Sequence, residues 1–162
     1  MKVILFYIGT PSPIIETELE IIKKHEKLGD EVTVIQCAGE LSNCHWNLNH
    51  INIQCGVCRS KFKNGLSSIN SGEYVNLKNF TPHTDENLNL PQVINSIDDI
   101  NNYQYDNQNI GFGVTASLIS LFRDHRFDVR KYRNEIIRSI KTTVQVYNTL
   151  KKEFIETAPD RV

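Results

Sequence analysis

Two short apolar runs on either side of one amphipathic segment constrain this chain most. Lys2 to Ile8 is continuously apolar and rich in β-branched and aromatic residues. It is too short for a core helix and suits a strand buried on both faces. Gly9-Thr10-Pro11-Ser12-Pro13 follows, with Ser12 placed to cap a helix and Pro13 at its first position. Ile14, Leu19, Ile22 and Leu28 then share a helical side, and Gly29 stops the helix. Glu31 to Gln36 is a second strand. A strand, a helix of this length and a second strand make a parallel β-α-β unit, the opening of a Rossmann-like sheet.

The rest of the chain is read around that unit. A short helix is predicted over Phe62 to Ile69, and a third strand at Tyr74-Val75-Asn76-Leu77. Residues 81–109 hold five acidic residues, seven Asn and no Lys or Arg, which predicts a polar surface insertion with one short helix near Pro91 to Ile100; a mobile lid or partner-binding loop is the alternative. An apolar helix is expected from Val114 to Phe122, opened by Gly111-Phe112-Gly113, with a small face of Gly113, Ala116, Ser117 and Ser120 suited to close packing on a sheet. A long helix is expected from about Asp128 to Thr157, its stripe formed by Ile136, Ile137, Ile140, Val144, Tyr147, Leu150 and Phe154. Pro159 breaks it, and Asp160-Arg161-Val162 reads as the turn into a further strand, so the ending is taken as a truncation. The expected fold is α/β: one Rossmann-like, three-layer domain over 1–162 with a mainly parallel sheet, a cysteine-rich loop over 37–61 after the second strand, and the 81–109 insertion.

Composition excludes some classes. With 40% apolar and 23% charged residues the chain is ordinary globular protein. A net charge of −1 gives no general attraction to nucleic acid or an anionic membrane. No apolar stretch reaches bilayer length. The chain is read as cytoplasmic, with any membrane role arising through a partner or a further part of the polypeptide.

All four cysteines fall in one segment, spaced Cys37-x6-Cys44-x10-Cys55-x2-Cys58. Clustered thiols in a reducing compartment favour metal or redox chemistry over disulfides. Cys55-Gly56-Val57-Cys58 has the form of a metal knuckle, with Gly56 turning amides toward sulfur, and Cys37 and Cys44 complete a tetrahedron. Four thiolates suit a structural Zn²⁺, or less readily an iron–sulfur cluster. His45 or His50 can replace one cysteine. Buried thiols without metal, disulfides, and a redox pair at Cys55 and Cys58 remain alternatives.

Three stretches resemble the amino-terminal region of glycosyltransferases encoded in bacterial capsular-polysaccharide and lipopolysaccharide loci. They are the opening strand and helix leading to Val34-Ile35-Gln36-Cys37-Ala38-Gly39-Glu40-Leu41, then Cys44, Asn47 and Cys55-Gly56-Val57-Cys58-Arg59, then Gly113-Val114-Thr115-Ala116-Ser117-Leu118-Ile119-Ser120-Leu121-Phe122-Arg123-Asp124. The resemblance implies the amino-terminal half of a GT-B-like, two-domain enzyme. A second Rossmann-like domain would bind the sugar nucleotide. This half would serve a sugar or lipid-linked saccharide acceptor and would be inactive alone. Apart from the resemblance, peripheral membrane association stays open, and an apolar stripe left exposed by a missing domain could drive homodimerisation.

Candidate ligand contacts are Gly9, Thr10 and Ser12 at the end of the first strand, and Gly113 and Thr115 at a glycine-containing helix start. An ordinary helix cap and close packing explain the same residues. Glu16 and Glu18 are candidate bases, and equally complements to a helix dipole. In the group Arg123, Asp124, His125 and Arg126, the His beside an Asp can serve as a base and the arginines can hold a diphosphate or an acidic sugar, or the group forms a solvated helix end. His25 and His83 have no evident partner, and Trp46 is expected to anchor the cysteine loop in the core. A non-catalytic, metal-stabilised interaction domain and a thiol-redox protein are the competing functions.

Overall fold

A computed structural model describes residues 1–8, 14–44, 46–49, 51–69, 75–85 and 87–160. Among them are three strands and five helices: β1 (Lys2–Tyr7), α1 (Ile14–Lys27), β2 (Glu31–Gln36), α2 (Asn52–Ser68), β3 (Val75–Asn79), α3 (Ile97–Asn101), α4 (Ile110–Phe122) and α5 (Arg133–Thr157). The fold is α/β with an open parallel sheet in the order β1-β2-β3. Lys2 pairs with Glu31 and Tyr7 with Gln36, while Val32 pairs with Val75 and Gln36 with Asn79. The chain divides into two compact units, Met1–Thr81 with Lys151–Val162, and Pro82–Leu150. All three strands lie in the first unit.

In the first unit β1 and β2 bury residues on both faces of the sheet, whereas Asn76, Leu77 and Asn79 of β3 are exposed. Leu5, Tyr7, Val32, Val34 and Val75 meet Ile15 and Ile22 of α1 and Phe62 of α2. Phe62 stacks on Tyr7 with ring centroids 4.0 Å apart. On the other face Phe6 lies against Phe80, and Lys78 pairs with Glu153 from the last turns of α5 at 2.8 Å. The end of α1 is a Schellman turn: Gly29 has φ +73°, its amide bonds to Glu26 O, and Asp30 N bonds to His25 O. Gly29 thus ends the helix as expected. The buried side of α1 differs from expectation. Ile15 and Ile22 are buried with Leu19 beside them, whereas Ile14 and Leu28 are exposed. Asp160 donates its amide to Lys2 O and accepts Lys2 N on its carboxylate, so it sits on the free edge of β1. Residues 161–162 of the expected turn lie outside the described residues.

Three helix boundaries also move. α2 begins at Asn52 rather than Phe62, α4 at Ile110 rather than Val114, and α5 at Arg133 rather than near Asp128. The Asp128 carboxylate accepts the amides of Arg130 and Lys131, which holds that stretch in a turn before the helix. The third strand runs to Asn79.

The second unit is helical. Ile94, Ile100, Ile110, Val114, Leu118, Phe127, Ile136, Ile140 and Val144 form its core. Residues 82–109 are part of this unit, not a surface insertion: Leu88, Leu90, Ile94, Ile97 and Ile100 enter the core between the Asn and Asp residues that mask them in the sequence. Within it, α3 is capped by Ser96 and Asp99 in a reciprocal box. Gly111 lets α4 approach the end of α3, where its amide bonds to Tyr103 O at 2.9 Å. The small face of α4 is not packed as expected, since Gly113, Ala116 and Ser120 are exposed.

Candidate metal centre

Cys37 follows β2 directly, at the carboxyl end of the sheet, where open α/β folds place their sites. Its amide extends the sheet by bonding to Tyr7 O. The chain then turns back through Gly39, whose φ of +97° is open to glycine and strained for other residues. That turn brings the Gly39 amide to 3.4 Å from Cys37 Sγ. The amide-to-sulfur turn expected at Gly56 is therefore at Gly39. Gly56 lies inside α2, where Cys55 and Cys58 are one helical turn apart and share a side.

All four cysteines line one cavity of about 60 Å³, together with Ile8, Gly39 and Asn47 among others. Each sulfur has a polar neighbour. Gly39 N serves Cys37, and the amides of Trp46 and Asn47 serve Cys44. Asn47 Nδ2 donates to Cys55 Sγ at 3.1 Å, and Tyr7 Oη lies 3.9 Å from Cys58 Sγ. Burial pushes the Cys44 and Cys58 thiols up, hydrogen bonds oppose this, and the neighbouring sulfurs add to it. The cysteines are unpaired as disulfides. They ring the cavity without closing on one point: among the described residues no three His, Cys, Asp or Glu side chains stand together as a ligating group. Four soft thiols around one cavity, three of them with N–H groups directed at sulfur, nevertheless have the chemistry of a thiolate site, in which a metal would supply the charge that offsets burial.

Asn47 organises the loop, and its side chain carried no periodic signal in the sequence. It is 5% exposed. Its Oδ1 accepts Ile51 N at 2.8 Å and its Nδ2 donates to Ile51 O at 2.9 Å, so it grips both backbone groups of the residue before α2. Trp46 does not anchor the loop in the core; it is 59% exposed. A thioredoxin-type pair begins at the strand–helix junction, whereas Cys55 is the fourth residue of α2 and Cys58 the seventh. His45 and His50 lie outside the described residues, as do Gly9, Thr10 and Ser12.

The other candidates are scattered. Gly113 is exposed, and Thr115 is buried in the second unit with an Oγ1 that has no hydrogen-bond partner. Arg123 is an exposed left-handed cap at the far end of α4, ten residues or about 15 Å from Gly113. Arg123 to Arg126 are all exposed, and Asp124 closes a turn by accepting Arg126 N. Glu16 is exposed. Glu18 turns inward beside Ile15 and Ile22, its Oε2 is buried without a partner, and burial pushes its carboxyl up. His25 does have a partner, Asp30, at 2.8 Å.

No family model matches the chain, and no curated protein or solved structure does.

Proposed function

We propose that Cys37, Cys44, Cys55 and Cys58 bind one structural Zn²⁺, and that the domain so pinned forms the acceptor side of a glycosyltransferase in cell-surface polysaccharide synthesis. One observation carries the metal assignment: four thiols line a single small cavity, three of them accept hydrogen bonds from N–H groups, and the fourth lies against the Tyr7 hydroxyl. Four protein ligands leave no coordination position for substrate, so the ion would hold the 37–51 loop against the first turns of α2. Zn²⁺ suits such a set of soft ligands better than hard cations do.

The glycosyltransferase part rests on the parallel β1-α1-β2-α2-β3 order, which leaves the carboxyl ends of the strands for a ligand, and on the resemblance of the cysteine segment. A sugar nucleotide would then be held by a second domain.

Elemental analysis of the purified protein, with thiol titration before and after chelation, tests the metal. One zinc per chain and four thiols shielded until chelation are expected. A metal-free protein with four freely reactive thiols that takes up no added Zn²⁺ would refute the site. Binding to an array of bacterial oligosaccharides tests the acceptor role, and a protein that retains zinc yet binds none of them loses that assignment alone.

A further inference from the structure

Several large apolar side chains are exposed in the cysteine segment and the first turns of α2, and one of them, Trp46, also lines the cysteine cavity. Ile53 is 77% exposed and Trp46 59%, and Leu48, Ile51 and Val57 are exposed beside them. Five exposed large apolar side chains within twelve consecutive residues are a concentration that monomeric surfaces seldom show without a contact to make. Ile53, Val57 and Lys61 follow one another at i, i+4 and i+8 along one side of α2, and Arg59 and Lys63 are exposed on other sides of the same later turns. No Asp or Glu occurs between Glu40 and Glu73, while Arg59, Lys61 and Lys63 all fall there. The net charge of the whole chain, −1, conceals this local cationic segment.

We propose that this face docks on an anionic lipid surface, with the cysteine loop and the first turns of α2 entering the headgroup region. The charge pattern favours lipid over a protein partner, because the cations follow the apolar group along one helix instead of surrounding it. Ile53 and Lys61 are eight residues apart, about 12 Å of helix rise. Apolar side chains entering about 5–10 Å below the headgroups would leave the lysines level with the phosphates. Lysine stems lie along apolar surface and keep the ammonium in water, and tryptophan favours the same boundary. Membrane contact would thus come from this chain itself. The inference is independent of both the zinc and the glycosyltransferase assignments.

Trp46 is the single tryptophan, so its emission reports on this face alone. The full chain is mixed with phosphatidylcholine vesicles, and with vesicles in which phosphatidylglycerol replaces part of that lipid. Co-sedimentation and a blue shift are expected with the anionic vesicles and weaken as salt is raised. Ile53→Ser with Val57→Ser should reduce binding about tenfold or more without lowering the melting temperature. Lys61→Gln and Lys63→Gln should each cost roughly fivefold. Unchanged Trp46 emission with both vesicle types overturns the proposal. So does a dimer that the Ile53→Ser, Val57→Ser variant converts to monomer while vesicles bind neither form, which would make the face a contact between two copies.

Discussion

The side-chain amide of Asn47 donates to Cys55 Sγ while the same side chain holds both backbone groups of Ile51. One buried residue therefore fixes the entry to α2 and the sulfur that α2 presents. Replacing it with leucine would leave Ile51 N–H without its partner and Cys55 without its donor. Loss of a buried partner of this kind costs about 1–3 kcal/mol. Loss of an outer partner to a metal ligand lowers metal affinity roughly 10–100-fold. Asn47→Leu should therefore unfold at lower denaturant concentration and, on the proposal that Zn²⁺ is bound, hold added Zn²⁺ less tightly against a competing chelator than the wild type. Equal zinc retention by the variant would mean that the amide–sulfur bond is incidental.

How far the sequence disclosed this arrangement depended on the signal each residue gives. β1 and β2 were legible because a short run of β-branched and aromatic residues admits few alternatives. The direction of α1 was legible, and its phase was not. Ile14-Ile15 and Ile21-Ile22 offer two registers, and Glu18 on the buried side points to the wrong one. α2 was obscured because Asn52, Gln54 and Gly56 resemble loop residues, so the cysteines seemed to lie in a loop when two of them lie on a helix. The four sulfurs of the candidate site could be named from spacing alone. Asn47 and Gly39 could not be given their roles, because those roles depend on a turn with positive φ and a side chain folded back on the backbone. In 82–109 the surplus of Asn and Asp hid five apolar residues whose spacing follows no single period.

Gly111 and Gly113 look alike in the sequence and differ in space. A Cβ on Gly111 would overlap the Ile100 carbonyl and stand 2.8 Å from Tyr103 N, both backbone atoms with no room to give. A Cβ on Gly113 would meet nothing within 4 Å. Gly111→Ala should destabilise the protein by about 3 kcal/mol, the scale of forced overpacking. Gly113→Ala should stabilise it by about 0.5–1 kcal/mol by restricting the unfolded chain. Denaturant titrations of the two variants decide the matter, and similar midpoints would mean that α3 and α4 are not in close contact.

Thr115 was a candidate ligand residue, and its hydroxyl is buried without a partner. Leaving a hydroxyl unsatisfied costs free energy that an isosteric methyl avoids. Thr115→Val is therefore expected to be neutral or to stabilise the protein by up to about 1 kcal/mol. Thermal unfolding checks this. A marked loss of stability would show that the hydroxyl has a partner, such as an internal water.

At the amino end of the sheet, Asp30 joins His25 Nδ1 and the amino group of Met1, each at 2.8 Å. Hydrogen bonds from His25 and then from the amine hold the Asp30 carboxyl below its usual range. The hydrogen bond to Asp30 in turn raises the amine above its usual range. A lowered carboxyl contributes stability above its unfolded pKa, near pH 4, and loses it as pH falls through the folded value. A raised amine contributes fully below its unfolded pKa, near pH 8, and loses that contribution as pH rises through the folded value. The cluster should therefore stabilise most between about pH 4 and pH 8. Asp30→Asn should melt below the wild type across that window, and the gap should close as pH falls below about 4. Melting curves of the two proteins over the acid range check this. A gap that stays constant down to the lowest pH would show that ionisation of Asp30 contributes nothing to holding Met1 and His25 together.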